Sequence, residues 1–231
     1  MRFSRQFLNR LDQASTGADT VVVIDVLRSF TTTAVALGQG ALAVYAVEDP
    51  ASVKSVCAKL ARAVSVGAVA GGTPVPGFDF GNSPSALTGV DLADRNVVIS
   101  TVAGVRGLHV FASAKHLFAA SLVCAKATAD AIREAGGDEV CFVITGEWTD
   151  RDGDEDIACA DYIEALLSGM PAAPETFAHR VRQSDFGARF AAGTWPNLPI
   201  ADLDVAAQAD LFGFAMPVKF EANQLVIRRP A

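Results

Sequence analysis

Asp25 and Arg28 stand three positions apart just past an apolar run, Val21-Val-Val-Ile24, and a cluster of hydroxyl residues, Ser29 and Thr31 to Thr33, follows them. The run reads as a strand buried on both faces. A carboxylate at the end of such a strand is costly unless a cation, a donor or solvent meets it. In open α/β sheets, ligands gather beyond the carboxyl ends of the strands, where helix N-termini also point. Asp25 suits a metal there and Arg28 an anion, so the pair points to metal-assisted chemistry on a phosphorylated or otherwise anionic small molecule. Three further segments occupy equivalent turns. Gly71 to Pro84 is rich in glycine and proline and offers Asp79 and Asn82 as oxygen donors. Ser100-Thr-Val-Ala-Gly-Val-Arg106 leads from a strand into a helix, so Ser100, Thr101, the Gly104 amide and Arg106 can meet an anion. Thr145 to Asp156 is densely acidic, with Glu147, Asp150, Asp152, Asp154, Glu155 and Asp156, and Asp161 follows.

Each segment also has a plainer reading. Asp25 is placed to cap a helix, the Pro/Gly segment to serve as a surface connection, and the acidic segment to be a solvated helix entry favoured by the dipole. Their shared position at strand ends is what favours chemistry.

Alternating patterns supply the elements that would position these groups. Strands are expected at Thr20–Val26, Ala41–Val47, Val64–Ala70, Asn96–Thr101, His116–Ala119 and Glu139–Thr145, and helices at Ser29–Gly38, Pro50–Ala63, Gly104–Ser113, Ala125–Ala135 and Glu155–Leu167. Asp49-Pro50 is a good helix start, and Gly136-Gly137 a good stop. Such βαβα alternation predicts a three-layer α/β/α fold with a mostly parallel or mixed sheet. From about Pro171 the pattern turns to Ala- and Asp-rich helical segments, a helical C-terminal addition. Met216–Arg228 then reads as a hairpin or an edge strand. No linker divides the chain, so one domain over residues 1–231 is expected.

Composition narrows the classes. A formal net charge of −7 with no Lys/Arg run argues against nucleic acid. The first ten residues are too polar for a signal peptide, no stretch approaches a membrane span, and the four scattered cysteines suit reduced core thiols. A soluble cytoplasmic protein is expected, with oligomeric state, a homo-oligomer included, left open. Several catalytic devices are absent: no P-loop, no Gly-x-Ser-x-Gly elbow, no second aspartate two residues after Asp25, no arginine six residues after Cys124, and no metal spacing among His109, His116 and His179. The acidic segment lacks the glycine and glutamate spacing of an EF-hand.

Taken in order, Asp25-Val-Leu-Arg28 before a Thr-rich helix start and Gly77-Phe-Asp-Phe-Gly-Asn-Ser-Pro84 resemble the 2-phosphosulfolactate phosphatases. Ser100-Thr, Gly104 and Arg106, Ala125-Lys-Ala-Thr-Ala129, Glu155-Asp156, Ser184-Asp-Phe-Gly187, Asp202 and Asp210 continue the likeness, which runs from about Val21 to Val218. The resemblance implies a magnesium-dependent phosphatase that removes phosphate from 2-phosphosulfolactate, a step towards coenzyme M, or from a related small 2-phospho acid. It assigns Mg²⁺ to Asp25, Glu155 and Asp156, with Asp79 nearby, phosphate to Arg28, its orientation to Asn82 and the Gly104 region, and cationic help to Arg106 and Lys126. The chain departs from the family pattern at Val102, Ala103 and Val105, where polar residues are usual, and at Thr73-Pro74, which replaces a common glutamate. Those changes motivate a rival expectation, a non-catalytic anion-binding protein on the same scaffold.

Overall fold

The structure is a computed structural model, and it describes residues 1–11 and 17–230. In chain order the strands are β1 (Arg2–Phe7), β2 (Thr20–Ile24), β3 (Ala43–Ala46), β4 (Ala63–Ala68), β5 (Asn96–Thr101), β6 (His116–Ala120), β7 (Glu139–Ile144), β8 (Met216–Glu221) and β9 (Gln224–Ile227). The helices are α1 (Ser29–Gly38), α2 (Val53–Cys57), α3 (Pro84–Leu87), α4 (Gly104–Val110), α5 (Ala125–Ala135), α6 (Asp154–Leu167), α7 (Pro174–Gln183), α8 (Asp185–Ala192) and α9 (Ile200–Ala206). The strands form one sheet in the order β1-β7-β2-β6-β8-β9-β3-β5-β4. This is an α/β fold with a mixed, mostly parallel sheet, as the alternating pattern predicts.

The C-terminal hairpin is the hinge of the topology. Ala222 and Asn223 both have positive φ, 46° and 65°, the geometry that a tight two-residue hairpin turn requires. Instead of an edge, β8 and β9 occupy the middle of the sheet, antiparallel to β6 and β3 respectively. That position corrects the edge-strand alternative. The group β3-β5-β4 therefore runs opposite to β1-β7-β2-β6 in hydrogen-bonding sense. Strand twist of about 20–25° per step accumulates to roughly 100–125° over the five steps from β2 to β5. The carboxyl ends of the two strands meet as a result: Asp25 Oδ2 accepts from the Gly104 amide at 3.0 Å, and Ser29 Oγ donates to Thr101 Oγ1 at 3.0 Å.

Packing follows the alternation within strands. Val21 and Val23 face a core shared with Phe30 and Leu37 of α1, Val105 and Leu108 of α4, and Val44, Val66 and Ile99 of the other strand group. Val22 and Ile24 face the opposite core, with Ala129 of α5, Ile163 of α6, Val181 of α7, Phe190 of α8 and Leu203 of α9. Every residue of α1 from Ser29 to Leu37 is buried. Two of its threonines are satisfied there, Thr31 Oγ1 donating to the Val26 carbonyl at 2.6 Å and Thr33 Oγ1 to that of Ser29 at 2.9 Å, whereas the buried Thr32 hydroxyl has no partner among the described residues.

Two local expectations are corrected. The long helix expected over Pro50–Ala63 is a 3-10 turn, Pro50–Ser52, followed by the short α2. The chain turns back through Lys59 and Leu60, and Arg62 takes a left-handed conformation (φ 51°) just before β4 starts at Ala63. The N-terminal segment forms β1, parallel to β7, a strand absent from the expected elements. Phe3, Arg5 and Phe7 share one face of this strand, with Phe3 stacked on Phe142 and Arg5 over the same ring.

Candidate active site

Asp25 sits where β2 ends, 5% exposed, and both its oxygens accept backbone protons: Oδ1 from the Ser29 amide at 2.9 Å and Oδ2 from that of Gly104 at 3.0 Å. Its side chain thus meets the first amide of α1, whose N-cap position is held by Arg28, and it also faces a cavity of about 420 Å³. Gly104 is required by this approach, since a Cβ there would stand 2.7 Å from Asp25 Oδ2 and 2.9 Å from Ser29 Cβ.

Beneath Asp25, the start of α6 brings in Glu155 and Asp156, both 1% exposed. Asp156 ties strand ends together: Oδ1 accepts from the Val26 amide at 2.8 Å, and Oδ2 accepts from the amides of Gly146 at 2.7 Å and Thr145 at 3.0 Å. Burial, then the charges of Glu155 and Asp25, push its carboxyl well above the ordinary aspartate value. Glu155 is the unusual group. Neither of its buried oxygens has a hydrogen-bond partner among the described residues. Burial pushes its carboxyl up to about 7, with the charge of Asp25 adding to the rise and that of Arg151 opposing it. An unpaired buried carboxylate beside a second acid is a strong demand for positive charge.

The donor chemistry suits a hard divalent cation. Mg²⁺ is usually bound by one or two carboxylates, waters and substrate phosphate rather than by an all-protein cage. Asp25 and Glu155 fit that pattern. The described residues contain no group of three or more His, Cys, Asp or Glu side chains placed to hold a metal. The expected triad of Asp25, Glu155 and Asp156 is therefore not gathered as three ligands, because Asp156 is turned onto backbone amides.

Four arginines and two aspartates, Asp25 and Asp150, line the cavity. Arg28 is 5% exposed and commits its guanidinium to Asp202 at 2.7 Å and to the Asn197 carbonyl at 2.9 Å, with the Phe190 ring 5.5 Å away. Asp202, fully buried on α9, also accepts from Ser83 Oγ, Ser85 Oγ and the Ser85 amide. The expected phosphate clamp is thus largely occupied by an ion pair. Arg189 pairs with Asp150 at 2.8 Å. Among the described residues Arg106 and Arg151 enter no ion pair; Arg106 reaches Asn9 Oδ1 at 3.5 Å, and Arg151 donates from Nε to the Gly146 carbonyl at 2.5 Å. These are the cavity's cations outside any ion pair among the described residues.

Of the remaining expected residues, Asn82 and Thr101 line the cavity, and the Asn82 side-chain oxygen is buried without a partner among the described residues. Asp79, Ser100 and Lys126 do not line it. Asp79 Oδ2 accepts from the Ser65 amide at 2.8 Å and from its hydroxyl at 2.7 Å, bonds that pull its pKa down and pin the Pro/Gly segment to β4. Ser100 Oγ points to the Glu48 carbonyl at 3.4 Å. Lys126 is exposed, and its amide donates to Asp210 at 2.7 Å. Sequence reasoning missed Arg151, hidden among the acids of its segment, and Arg189, just past the Ser184–Gly187 motif. The only signal for either was a lone arginine in a segment already singled out.

Fold and site together define an α/β protein that gathers buried carboxylates and arginines where two groups of strands converge. The sequence profile described as 2-phosphosulpholactate phosphatase matches residues 7–192, and the chain belongs to that family. It is similar to proteins named probable 2-phosphosulfolactate phosphatase from several bacteria. Identity to that of Carboxydothermus hydrogenoformans is 39% over 149 residues, 64% of this chain and 60% of that protein. For Bacillus subtilis it is 27% over 213 residues, 92% of each chain. For Thermus thermophilus it is 37% over 150 residues, 64% of this chain and 62% of that protein. The matched stretch is thus less than two thirds of the first and third of these relatives. No helix among the described residues is long and apolar enough to cross a membrane.

Proposed function

We propose that the chain is a Mg²⁺-dependent phosphomonoesterase acting on a small anionic 2-phospho acid, 2-phosphosulfolactate or a relative. The observation that carries this reading is the unpartnered Glu155 carboxylate, buried within reach of the Asp25 charge, while Asp25 itself lines a cavity with Arg106 and Arg151, which enter no ion pair among the described residues. Family membership and the names of the relatives support it.

Asp25 and Glu155 are the residues that would hold the ion. When bound, Mg²⁺ supplies Lewis-acid stabilisation of the charge that builds on the phosphoryl oxygens. The chain supplies the rest. Ser29 and Gly104 fix the Asp25 carboxylate through their amides, so its orientation costs nothing at the moment of reaction. Arg106 and Arg151 neutralise the non-bridging phosphate oxygens and the substrate's second anion. Asn82 presents its amide to the phosphate or to the attacking water. Asp202 orients Arg28 against the cavity wall, with the cation shared between that carboxylate and the substrate. Water adds to phosphorus, the ester P–O bond breaks, and the hydroxy acid leaves with the proton. In-line geometry of this kind needs positioned charge more than covalent help.

The test is phosphate release from 2-phosphosulfolactate and 2-phospholactate with Mg²⁺ and with a chelator. Release with Mg²⁺ that stops on chelation is expected. Turnover indifferent to chelator contradicts the metal role, and binding without release identifies an anion-binding protein instead.

A further inference from the structure

Large apolar side chains left in water are the informative exceptions on a protein surface, above all when they cluster at a cavity. Ten such side chains are exposed among the described residues, and four of them, Val69 (41%), Val102 (58%), Trp148 (50%) and Trp195 (45%), line the one cavity that holds Asp25. Leu27, Ala70, Ala103, Phe186 and Leu198 extend the same wall. A three-carbon acid carrying phosphate, carboxylate and sulfonate has no apolar surface to offer these groups.

The wall is built and wired to the charged floor. Trp148 and Arg151 close a tight turn through paired backbone bonds, the Trp148 amide to the Arg151 carbonyl at 3.0 Å and the Arg151 amide to the Trp148 carbonyl at 3.4 Å. Arg151 lies over the Phe186 ring at 4.3 Å, and Arg189 lies 5.9 Å from the same ring. On the other side, the Leu198 amide closes a turn onto the Trp195 carbonyl at 3.1 Å, and Asn197 within that turn accepts from Arg28. Each tryptophan therefore shares a turn with a group that contacts a cavity arginine. Apolar walls with a few fixed polar groups are the usual composition of a small-molecule site, and about 420 Å³ is within the usual size.

We infer that the substrate is a phosphate monoester of a 2-hydroxy acid whose third substituent is aromatic or bulky and apolar, seated between Trp148, Trp195 and Val102. This rests on the phosphatase reading for the position of the phosphate, beside Asp25, and goes beyond it in assigning the body of the substrate. Arg106 and Arg151 then read the phosphate and the carboxylate, and no third anion is required.

Binding and turnover are tested separately. The uncleavable methylene-phosphonate analogues of 2-phospho-3-phenyllactate and 2-phospholactate are titrated into Mg²⁺-loaded protein by calorimetry, and phosphate release is measured on the parent esters. The phenyl analogue binds at least tenfold tighter than the methyl one, and Trp148→Ala or Trp195→Ala reduces that ratio to within about threefold of unity. Equal affinities, no binding of either analogue, or a ratio that survives both substitutions overturns the inference. Tight, phenyl-selective binding with no phosphate release from either ester refutes the phosphatase reading alone and leaves the aromatic subsite standing.

Discussion

Glu155→Gln should stabilise the metal-free protein at alkaline pH while abolishing its response to Mg²⁺. Burial raises the Glu155 carboxyl from 4.5 to about 7. A carboxyl whose folded pKa is raised is favoured when protonated, so stability is fully present below about pH 4.5 and is lost as pH rises through 7. Two and a half pKa units correspond to about 3 kcal/mol once both states are ionised. At pH 8 nearly all of that loss is expressed, and at pH 5 less than about 1 kcal/mol of it. Glutamine carries no charge to desolvate, and the cost of burying its amide does not depend on pH. The double difference, variant against wild type and pH 8 against pH 5, should therefore favour the variant by about 2–3 kcal/mol, or roughly 5–10 °C in melting temperature. Urea or thermal unfolding in chelator at the two pH values measures it. Millimolar Mg²⁺ should raise the wild-type midpoint at pH 8 and leave that of the variant in place. A stability difference independent of pH would refute the reasoning, because it would mean that Glu155 is not held as an unpaired buried charge.

Two further substitutions probe the frame around that acid. Asp202→Ala leaves the buried Arg28 guanidinium without its carboxylate and should cost about 3–5 kcal/mol in unfolding free energy, with Asp202→Asn costing less because Ser83 and Ser85 keep a partner; a loss below 1 kcal/mol for alanine would contradict the ion-pair reading. Gly104→Ala forces a methyl against Asp25 and Ser29, and should lower stability by about 1–3 kcal/mol and phosphate release by more than tenfold, read from the unfolding midpoint and the assay together.

The local pattern carried much of the architecture. Ser29–Gly38 and Ala125–Ala135 are helices and Asn96–Thr101 a strand over the expected residues, because apolar spacing, glycine stops and β-branched runs act over a few neighbours. What the sequence hides is long-range pairing. Nothing local places β8 and β9 between β6 and β3, since any buried hairpin reads alike wherever it docks. The same limit applies at the site. Asp25, Glu155 and Asp156 were singled out, and the fold brings all three to one region, yet Asp156 turns to backbone amides that only the docking of α6 on β2 and β7 supplies. Arg28 reads as an anion clamp because it follows a strand end where ligands gather and stands in the family motif. Its partner in space is Asp202, 174 positions away. Asp79 looked like a ligand because acids in glycine-rich loops often are, and here it fastens the loop to Ser65. Lys126 was placed by its motif alone, and the helix that carries it directs it to solvent.

The most direct measurement is phosphate release by Asp25→Asn beside wild type, in Mg²⁺, with circular dichroism and unfolding midpoints to show that both are folded. Wild type should hydrolyse a 2-phospho acid, and the variant should be slower by at least a hundredfold, a loss of about 3 kcal/mol in transition-state stabilisation. A folded Asp25→Asn protein that releases phosphate at the wild-type rate would show that the chemistry lies elsewhere on the chain.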